Sequence, residues 1–163
     1  MTPQQRDALI DRYAEGPELL DAALAELPPQ MWTFKPSPAD WSVHEILIHL
    51  ADSETNAFLR CRRLVAEPGG SLMAYDQDLW AHALDYHSRD TELARSIVGL
   101  VRRSTTELLR SLPDTVWRHT VEHAELDRPY TFDDWLEVYA AHIPDHIEQM
   151  MRNRAAWEAA GGR

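Results

Sequence analysis

Apolar residues recur every three or four positions along four long stretches of the chain. This spacing places side chains on one face of a helix, because an α-helix turns about 100° per residue. The pattern predicts four helices, which run from about Thr2 to Leu27, from the Ser42 cap to near Glu67, from Asp90 or Thr91 to Leu112, and from the Thr131 cap to the Gly161-Gly162 end. No run of four or more residues alternates as a half-buried strand does. The predicted fold class is therefore all-α.

The third and fourth predicted helices have well-marked apolar faces. Leu93, Leu100 and Leu109 belong to the face of the third helix, whereas Leu136 and Val138 belong to that of the fourth. Because such faces are buried when helices pack together, we expect these five side chains to lie in the core.

Residues typical of helix starts support two of these boundaries. Ser42 and Glu45 stand three positions apart in the pattern of a capping box, and Thr131 and Asp134 repeat the same spacing. The dipeptide Gly16-Pro17 lies inside the first predicted helix. Since proline has no backbone N–H to donate, we expect a kink there or a break into two pieces.

The connections between the helices indicate a bundle. A long connection, with a short helix opening near Tyr75–Trp80, separates the second helix from the third, and the other two links are short. The turn Leu27–Trp32 before one capped helix resembles the turn Leu112–Trp117 before the other. This echo predicts two helical hairpins packed as one four-helix-bundle domain over residues 1–163, although chance similarity of helix-end signals is a rival explanation.

Composition and charge narrow the range of partners. The chain has 163 residues with 27 acidic and 16 basic side chains, and its net charge of −11 argues against binding to nucleic acid or to an anionic membrane. No apolar run approaches the ~20 residues that span a bilayer. The single Cys61 excludes an internal disulfide, and the N-terminus lacks the pattern of a signal peptide, so we expect a cytoplasmic protein.

Three histidines are candidates for a metal site. His142 and His146 are four positions apart on the fourth predicted helix, which places both rings on one face although Pro144 stands between them. Zinc ions that do chemistry take three protein ligands and keep an open position, so a third ligand is needed. The best candidate is His49, at the edge of the apolar stripe of the second helix. The alternative is that these are ordinary surface or core histidines, since short motifs also arise by chance.

A second pair with the same spacing serves as a control. His119 and His123 lie in a stretch without an apolar helical stripe, and turn-forming residues follow it. Outside a helix, a spacing of four residues does not place two side chains on the same face. We therefore interpret this segment as a solvated loop.

A polar row accompanies His49 on the second helix. Asp52, Asn56 and Arg60 fall on nearly the same side of the helix as this histidine. Such a row beside an apolar stripe is typical of a pocket wall, and it is equally typical of a solvated, charged helix face.

The residues around these histidines resemble a known family. The run His49-Leu-Ala-Asp-Ser-Glu-Thr-Asn-Ala-Phe-Leu-Arg60, preceded by Trp41-Ser-Val and followed by Tyr75-Asp-Gln-Asp-Leu-Trp80, is similar to the DinB/YfiT-like superfamily. His49 matches the first ligand of that family, and His142-x-x-x-His146 matches its paired ligands. The similarity is greatest to the YfiT-type branch of metal-dependent hydrolases or bacillithiol transferases.

The resemblance implies a four-helix bundle with a pseudo-two-fold axis, one long crossover and often a homodimer. It also implies a divalent zinc- or nickel-like ion on His49, His142 and His146, with open positions toward a cleft. The YfiT-type pattern tends to have another histidine directly before the last ligand, whereas this chain has Asp145. A carboxylate there can orient a ligand ring or act as a base.

Three functions agree with these residues. In the first, the metal lowers the pKa of a low-molecular-weight thiol and presents it to an electrophile, while Asp52, Asn56 and Arg60 hold the anionic parts of thiol or substrate. In the second, the metal lowers the pKa of water toward ~7 for hydrolysis, with Asp145 or Glu148 as proton acceptor. The third is a non-catalytic, metal-binding stress-response bundle.

Overall fold

A computed structural model describes residues 1–162 and shows a helical bundle. Its four long helices are α1 (Pro3–Glu26), α2 (Val43–Ala66), α4 (Thr91–Ser111) and α5 (Phe132–Ala159). The short helix α3 (Gln77–Ala83) lies in the long connection between α2 and α4. The predicted all-α four-helix bundle is confirmed, and the four long helices end within a few residues of the predicted positions.

The order of the helices around the bundle differs from their order in the sequence. Helix α1 packs against α5 and α4, and α2 packs against α4 and α5. Helices α1 and α2 therefore occupy opposite corners of the bundle, as do α4 and α5. The two helices of each predicted hairpin face each other across the centre instead of lying side by side.

Both predicted capping boxes are present. The backbone N–H of Ser42 donates to the Glu45 carboxylate at 2.8 Å, and the N–H of Glu45 donates back to the Ser42 hydroxyl at 3.2 Å. Thr131 and Asp134 make the same reciprocal pair at the start of α5, at 2.9 and 3.0 Å. These bonds satisfy backbone donors that the first turn of a helix leaves free, and so they fix where α2 and α5 begin.

The expected break at Gly16-Pro17 does not occur, because α1 is one continuous helix from Pro3 to Glu26. Pro17 leaves the carbonyl of Tyr13 without its usual helical donor. The guanidinium of Arg102, on α4, takes that place and donates to this carbonyl at 2.8 Å. Gly16 leaves room for the guanidinium, since a Cβ at this position would collide with it. The expectation of a break was wrong because a distant side chain replaces the missing bond.

A small sheet corrects the expectation that the chain has no strands. Its strands are β1 (Ser71–Leu72), β2 (Thr120–His123) and β3 (Tyr130–Thr131). Strand β2 is central and pairs in parallel with β1 and antiparallel with β3. Strands of two to four residues are too short to show an alternating pattern, which explains why the sequence did not predict them.

The segment of the control histidines is therefore not the solvated loop that we expected. His119 is half-buried, and its Nδ1 lies 3.0 Å from the carbonyl oxygen of Leu64 on α2. His123 ends β2, and its ring packs on Tyr130 at 5.3 Å between ring centroids. Because β2 is extended, these two histidines belong to the packing of the sheet.

Three residues expected in the core are exposed. Leu93 is 60% exposed, Leu100 is 59% exposed and Val138 is 52% exposed, whereas Leu109 and Leu136 are buried as predicted. Val138 is two positions from the buried Leu136, which places it on a different side of α5. The expectation for these three side chains was wrong.

The buried apolar residues form two clusters along the bundle. Each long helix passes from one cluster to the other near its middle, and the crossings fall at Gly16 on α1, Glu54 on α2, Arg102 on α4 and His142 on α5. We call Glu54, Arg102 and His142 the polar layer. This layer separates the two apolar clusters and forms one side of the candidate site. No helix within residues 1–162 is both long enough and apolar enough to cross a bilayer.

Candidate metal centre

The structure brings the three predicted histidines together. Nitrogen atoms of His49, His142 and His146, one from each ring, all lie within 4.8 Å of one another. The ring centroid of His49 is 5.5 Å from that of His142 and 4.8 Å from that of His146. Three imidazole nitrogens at this separation could bind one ion after small movements of their side chains. Among the residues described, this is the one group of histidine, cysteine or acidic side chains with such a convergence.

Helices α2 and α5 position these side chains. They are neighbours in the bundle, so His49 on the inner side of α2 faces the two histidines of α5. His142 and His146 lie one turn apart, with ring centroids 4.8 Å from each other. Helix α5 continues through Pro144, which stands between them. The four-residue spacing read from the sequence therefore has its expected effect.

Hydrogen bonds fix the orientation of the two rings from α5. Nδ1 of His142 lies 3.1 Å from Oε1 of Glu54, and Nδ1 of His146 lies 2.9 Å from Oε1 of Gln149. An ionised carboxylate and an amide oxygen can only accept, so Nδ1 carries the proton in both rings. In a neutral ring with this tautomer, Nε2 keeps a lone pair. This arrangement is typical of metal-ligating histidines, whose second nitrogen donates to a carboxylate or carbonyl.

His49 differs from the other two rings because its Nδ1 lacks a partner. Within residues 1–162, this buried nitrogen makes no hydrogen bond. The ring of Trp41 covers one side of the imidazole, with ring centroids 4.6 Å apart. Leaving a buried polar atom unpaired is unfavourable, and such an atom requires an explanation. An ion bound at this nitrogen would explain it, and three converging imidazoles are a donor set that fits a divalent transition metal.

The surroundings keep two of the rings uncharged. Burial, together with the neighbouring His146 and His142, lowers the pKa of His49 to about 2. Burial and His142 lower the pKa of His146 to about 4. A neutral imidazole offers a lone pair to a metal, whereas a protonated one cannot. These two rings are therefore ready to bind an ion at neutral pH.

Glu54 is a fully buried carboxylate that sequence analysis did not single out. Its Oε1 accepts from His142 and also from Arg102, at 2.6 Å, and Arg102 is fully buried as well. Burial by itself raises the pKa of Glu54, but Arg102 and His142 outweigh this effect and lower it. Glu54 stands in the apolar stripe of α2, four positions after Leu50. A charged residue inside an apolar stripe was the signal that could have found it.

The other predicted site residues lie outside the histidine cluster. Asp52 accepts a hydrogen bond from the hydroxyl of Tyr86 at 2.6 Å, and Asn56 donates to the backbone carbonyl of Asp52 at 2.9 Å. Arg60 donates to the hydroxyl of Tyr139 at 3.2 Å and to the carbonyl of Met73 at 2.9 Å. Their roles toward a substrate stay predictions.

Asp145 does not orient a ring of the histidine cluster, which was one of the two roles that the sequence suggested for it. Its side chain is exposed, and the carboxylate that contacts His142 is that of Glu54. Ring orientation by a carboxylate is thus present in the structure, but from α2. A role for Asp145 as a base stays a prediction.

Two further side chains lie against His142. The hydroxyl of Ser53 is 3.5 Å from Nε2 of His142, and the ring of Tyr139 meets the imidazole edge-on with centroids 5.9 Å apart. Because Tyr139 also accepts from Arg60, it connects the histidine cluster to a guanidinium. The cluster therefore has a polar wall with a positive charge nearby.

Comparison with known proteins agrees with this geometry. A family model described as the DinB superfamily matches residues 12–150. "Putative metal-dependent hydrolase YfiT" of Bacillus subtilis is 23% identical over 159 residues, which cover 96% of this chain and 89% of that protein. A second "Putative metal-dependent hydrolase", from Oceanobacillus iheyensis, is 26% identical over 138 residues. The alignment covers 85% of this chain and 79% of that protein.

A solved structure shows the same fold. It is that of YfiT from Bacillus subtilis, described as "a probable metal-dependent hydrolase with an unusual four-helix bundle topology". The two structures agree with a TM-score of 0.87 at 22% identity, over 100% of this chain and 91% of that one. The diagonal placement of consecutive helices is thus part of a fold that also occurs in that protein.

Proposed function

The chain belongs to the DinB superfamily, and from this membership and the geometry of its histidines we propose that it is a metal-dependent enzyme of the hydrolase type. His49, His142 and His146 hold one divalent ion. The observation that carries the proposal is the convergence of these rings, two of which are kept neutral by their surroundings while one buried nitrogen lacks a partner.

The chain's own residues prepare this centre. Glu54 and Gln149 hold the protons of His142 and His146 on Nδ1, so that each Nε2 keeps its lone pair. Trp41 covers the ring of His49 and keeps water away from that side. A zinc- or nickel-like ion on three histidines, with an open position, supplies a Lewis acid that lowers the pKa of a bound water or thiol.

Hydrolysis is the better-supported reaction. The relatives from Bacillus subtilis and Oceanobacillus iheyensis carry the name of metal-dependent hydrolases, and the alignments cover most of each protein. Water then supplies the nucleophile, and the substrate is a small ester, amide or lactone. Hydrolysis needs no second organic substrate, so it makes the fewest demands on the site.

Thiol transfer is the second candidate, and Arg60 favours it. This guanidinium is fixed beside Tyr139, which contacts His142, and so a positive charge stands one residue away from the histidine cluster. Glutathione and bacillithiol carry carboxylates, which an arginine binds with two hydrogen bonds. In this reaction the thiol sulfur attacks an electrophilic carbon, the leaving group departs with the bonding electrons, and the thiol proton passes to solvent.

One assay separates the two reactions. Protein loaded with Zn²⁺ or Ni²⁺ is incubated with esters, amides and lactones without thiol, and with an electrophile plus bacillithiol, mycothiol or glutathione. Turnover without thiol supports hydrolysis, and conjugate formation supports transfer. We expect His49→Ala to abolish both the bound metal and the turnover.

The control for this assay is His123→Ala, which removes a histidine of β2 outside the cluster. It should bind one metal ion per chain and react as the unchanged protein does. Wild-type protein that binds no ion, shown by elemental analysis after purification and after reloading, would overturn the proposal. Bound metal without any turnover in either arm would leave the third function, a non-catalytic metal-binding bundle.

A further inference from the structure

We propose that Arg102 is the positioning residue that sets the orientation and tautomer of His142 for metal binding, acting through Glu54. Arg102 lies on α4, a helix that contributes no histidine to the cluster. The inference rests on the proposed metal centre and deepens it, because it assigns a role in that centre to a fully buried ion pair.

The side chain of Arg102 joins α4 to the other three long helices. It donates to the backbone carbonyl of Tyr13 on α1 at 2.8 Å and to that of Tyr139 on α5 at 2.8 Å. It also donates to Oε1 of Glu54 on α2 at 2.6 Å. Two of these three acceptors are backbone atoms of helices, which hold the guanidinium in one place.

The local sequence of α1 is built to receive this guanidinium. Pro17 cannot donate to the Tyr13 carbonyl, so this oxygen is free for Arg102. Gly16 supplies the space, since even a Cβ there would meet the guanidinium and the side chain of Ile143. The ring of Tyr13 also packs against the cation, 4.2 Å from its centroid. A proline and a glycine that are unfavourable for an isolated helix thus form a docking position.

Fixing Arg102 fixes the carboxylate that faces His142. Oε1 of Glu54 accepts from both Arg102 and His142, so its place is determined by the bond to the guanidinium. The other carboxylate oxygen has only a long contact, 3.4 Å, with the hydroxyl of Tyr13. Without Arg102 the carboxylate can turn about its own side chain. His142 would then lose the acceptor that keeps its proton on Nδ1 and its Nε2 toward the cluster.

Lysine cannot replace arginine at this position. A lysine carries one compact ammonium group, whereas the planar guanidinium reaches acceptors in different directions at fixed angles. Arg102→Lys therefore keeps the positive charge but cannot hold Glu54 and the carbonyls of Tyr13 and Tyr139 together. The variant therefore tests whether the geometry of the guanidinium, and not only its positive charge, is needed to position Glu54.

The matched control is Arg62→Lys. Arg62 also links α2 to α4, by donating to the hydroxyls of Thr105 and Ser104, and it has no contact with the histidine cluster among the residues described. Both variants exchange an arginine for a lysine at the same helix pair. The melting temperature of each metal-free variant reports its general stability.

Two measurements on the full chain test the proposal. Zn²⁺ affinity is measured by competition with a chromophoric chelator, and the tautomer of His142 is read from ¹⁵N–¹H NMR of the metal-free protein. Arg102→Lys should lose roughly 10–100-fold in Zn²⁺ affinity, as is usual when a partner of a metal ligand is removed. It should also show a mixture of His142 tautomers, whereas Arg62→Lys should keep the wild-type affinity and a single Nδ1–H tautomer.

Several results would overturn the proposal. One is an Arg102→Lys variant that folds and keeps the wild-type Zn²⁺ affinity and a single His142 tautomer. Another is an Arg62→Lys variant that loses Zn²⁺ affinity and mixes the His142 tautomers as Arg102→Lys is expected to do. The third is a wild-type protein in which His142 carries its proton on Nε2. If Arg102→Lys does not fold, Gly16→Ala displaces the guanidinium without changing its chemistry and should give the same losses. A wild-type chain that binds no Zn²⁺ contradicts the proposed function, while the tautomer measurement still decides the role of Arg102.

Discussion

The imidazole of His49 is almost fully buried beside two other histidines, and this crowding disfavours its charged form. Its pKa falls to about 2, and that of His146 falls to about 4. In the unfolded chain both rings regain the usual histidine pKa of about 6.5. The unfolded state therefore binds more protons in weak acid, so stability must decrease as the pH falls.

This difference gives a prediction for the metal-free protein. Between pH 6 and pH 5, with a chelator present, the free energy of unfolding should fall by about 2–3 kcal/mol, since each group contributes about 1.4 kcal/mol per pH unit. Urea unfolding at several pH values measures this slope. Glu54 contributes only in stronger acid, because its pKa is lowered from that of an ordinary carboxyl.

The control is His49→Gln, which removes one of the two rings without adding charge. Its slope over the same pH range should be about half that of the wild type, because one titrating group remains. An unchanged slope would show that His49 is already protonated in the folded metal-free protein.

The three histidines could be predicted from the sequence, but the residues that orient them could not. His142 and His146 are found by spacing within one helix, and His49 lies at the edge of a regular apolar stripe. Glu54 stands inside an apolar stripe, Arg102 lies off the predicted apolar face of its helix, and the two are far apart in the sequence. Only the folded bundle shows that each charge has the other as its partner.

At the scale of the helices, α4 shows how a buried charge misleads a hydrophobic pattern. Its buried face includes Ala94, Val98, Arg102 and Leu109, whereas Leu93 and Leu100 lie on the outside. Since Arg102 does not count as apolar, the sequence pattern shifted the predicted face toward the exposed leucines. The helix itself, its start near Asp90 or Thr91 and its end near Leu112 were predicted correctly.

Shortening a side chain should reduce the stability of the protein much more on the buried side of α5 than on its exposed side. Leu136→Ala removes a fully buried side chain and should destabilise the protein by about 2–5 kcal/mol, because it leaves a cavity. Val138→Ala, at a position that is 52% exposed, should change stability by less than about 0.5 kcal/mol. Denaturant unfolding of both variants measures the difference, and equal losses would contradict the assigned orientation of this helix.

Helix caps give a second prediction at this scale. Ser42→Ala should reduce the free energy of unfolding by about 1–2 kcal/mol, because the first turn of α2 loses an acceptor for a backbone donor. Thr2→Ala removes the matching cap of α1, where the bond is exposed to solvent, so its effect should be smaller. Thermal unfolding of both variants tests the order, and an equal or larger loss for Thr2→Ala would contradict it.

Across the whole molecule, the polar layer divides the apolar interior into two clusters. Glu54, Arg102 and His142 take space that apolar side chains would otherwise fill, and a buried ion pair is often no more stabilising than a well-packed apolar group. Stability alone therefore does not account for the polar layer, whereas its contact with the histidine cluster gives it a role in the candidate site. It holds the ring of His142 in place at the level where all four long helices pass between the clusters.

Metal binding should stabilise the entire bundle, because the proposed ligands come from two helices that pack together. Zn²⁺ at about a thousand times its Kd contributes about 4 kcal/mol and should raise Tm by roughly 10 °C for a chain of this size. Differential scanning fluorimetry with Zn²⁺ and then with excess chelator measures a reversible shift. In His49→Ala the shift should vanish, and an equal shift there would place the ion elsewhere.

The diagonal order of the helices also determines when an ion can be acquired. His49 leaves the ribosome with α2, but both other proposed ligands leave it with α5, which packs on α1 as well as on α2. A nascent chain that ends before residue 142 holds one histidine of the three and cannot chelate. The three-histidine site can therefore take up an ion only after α5 has been made, and the helices made earlier lack it until then.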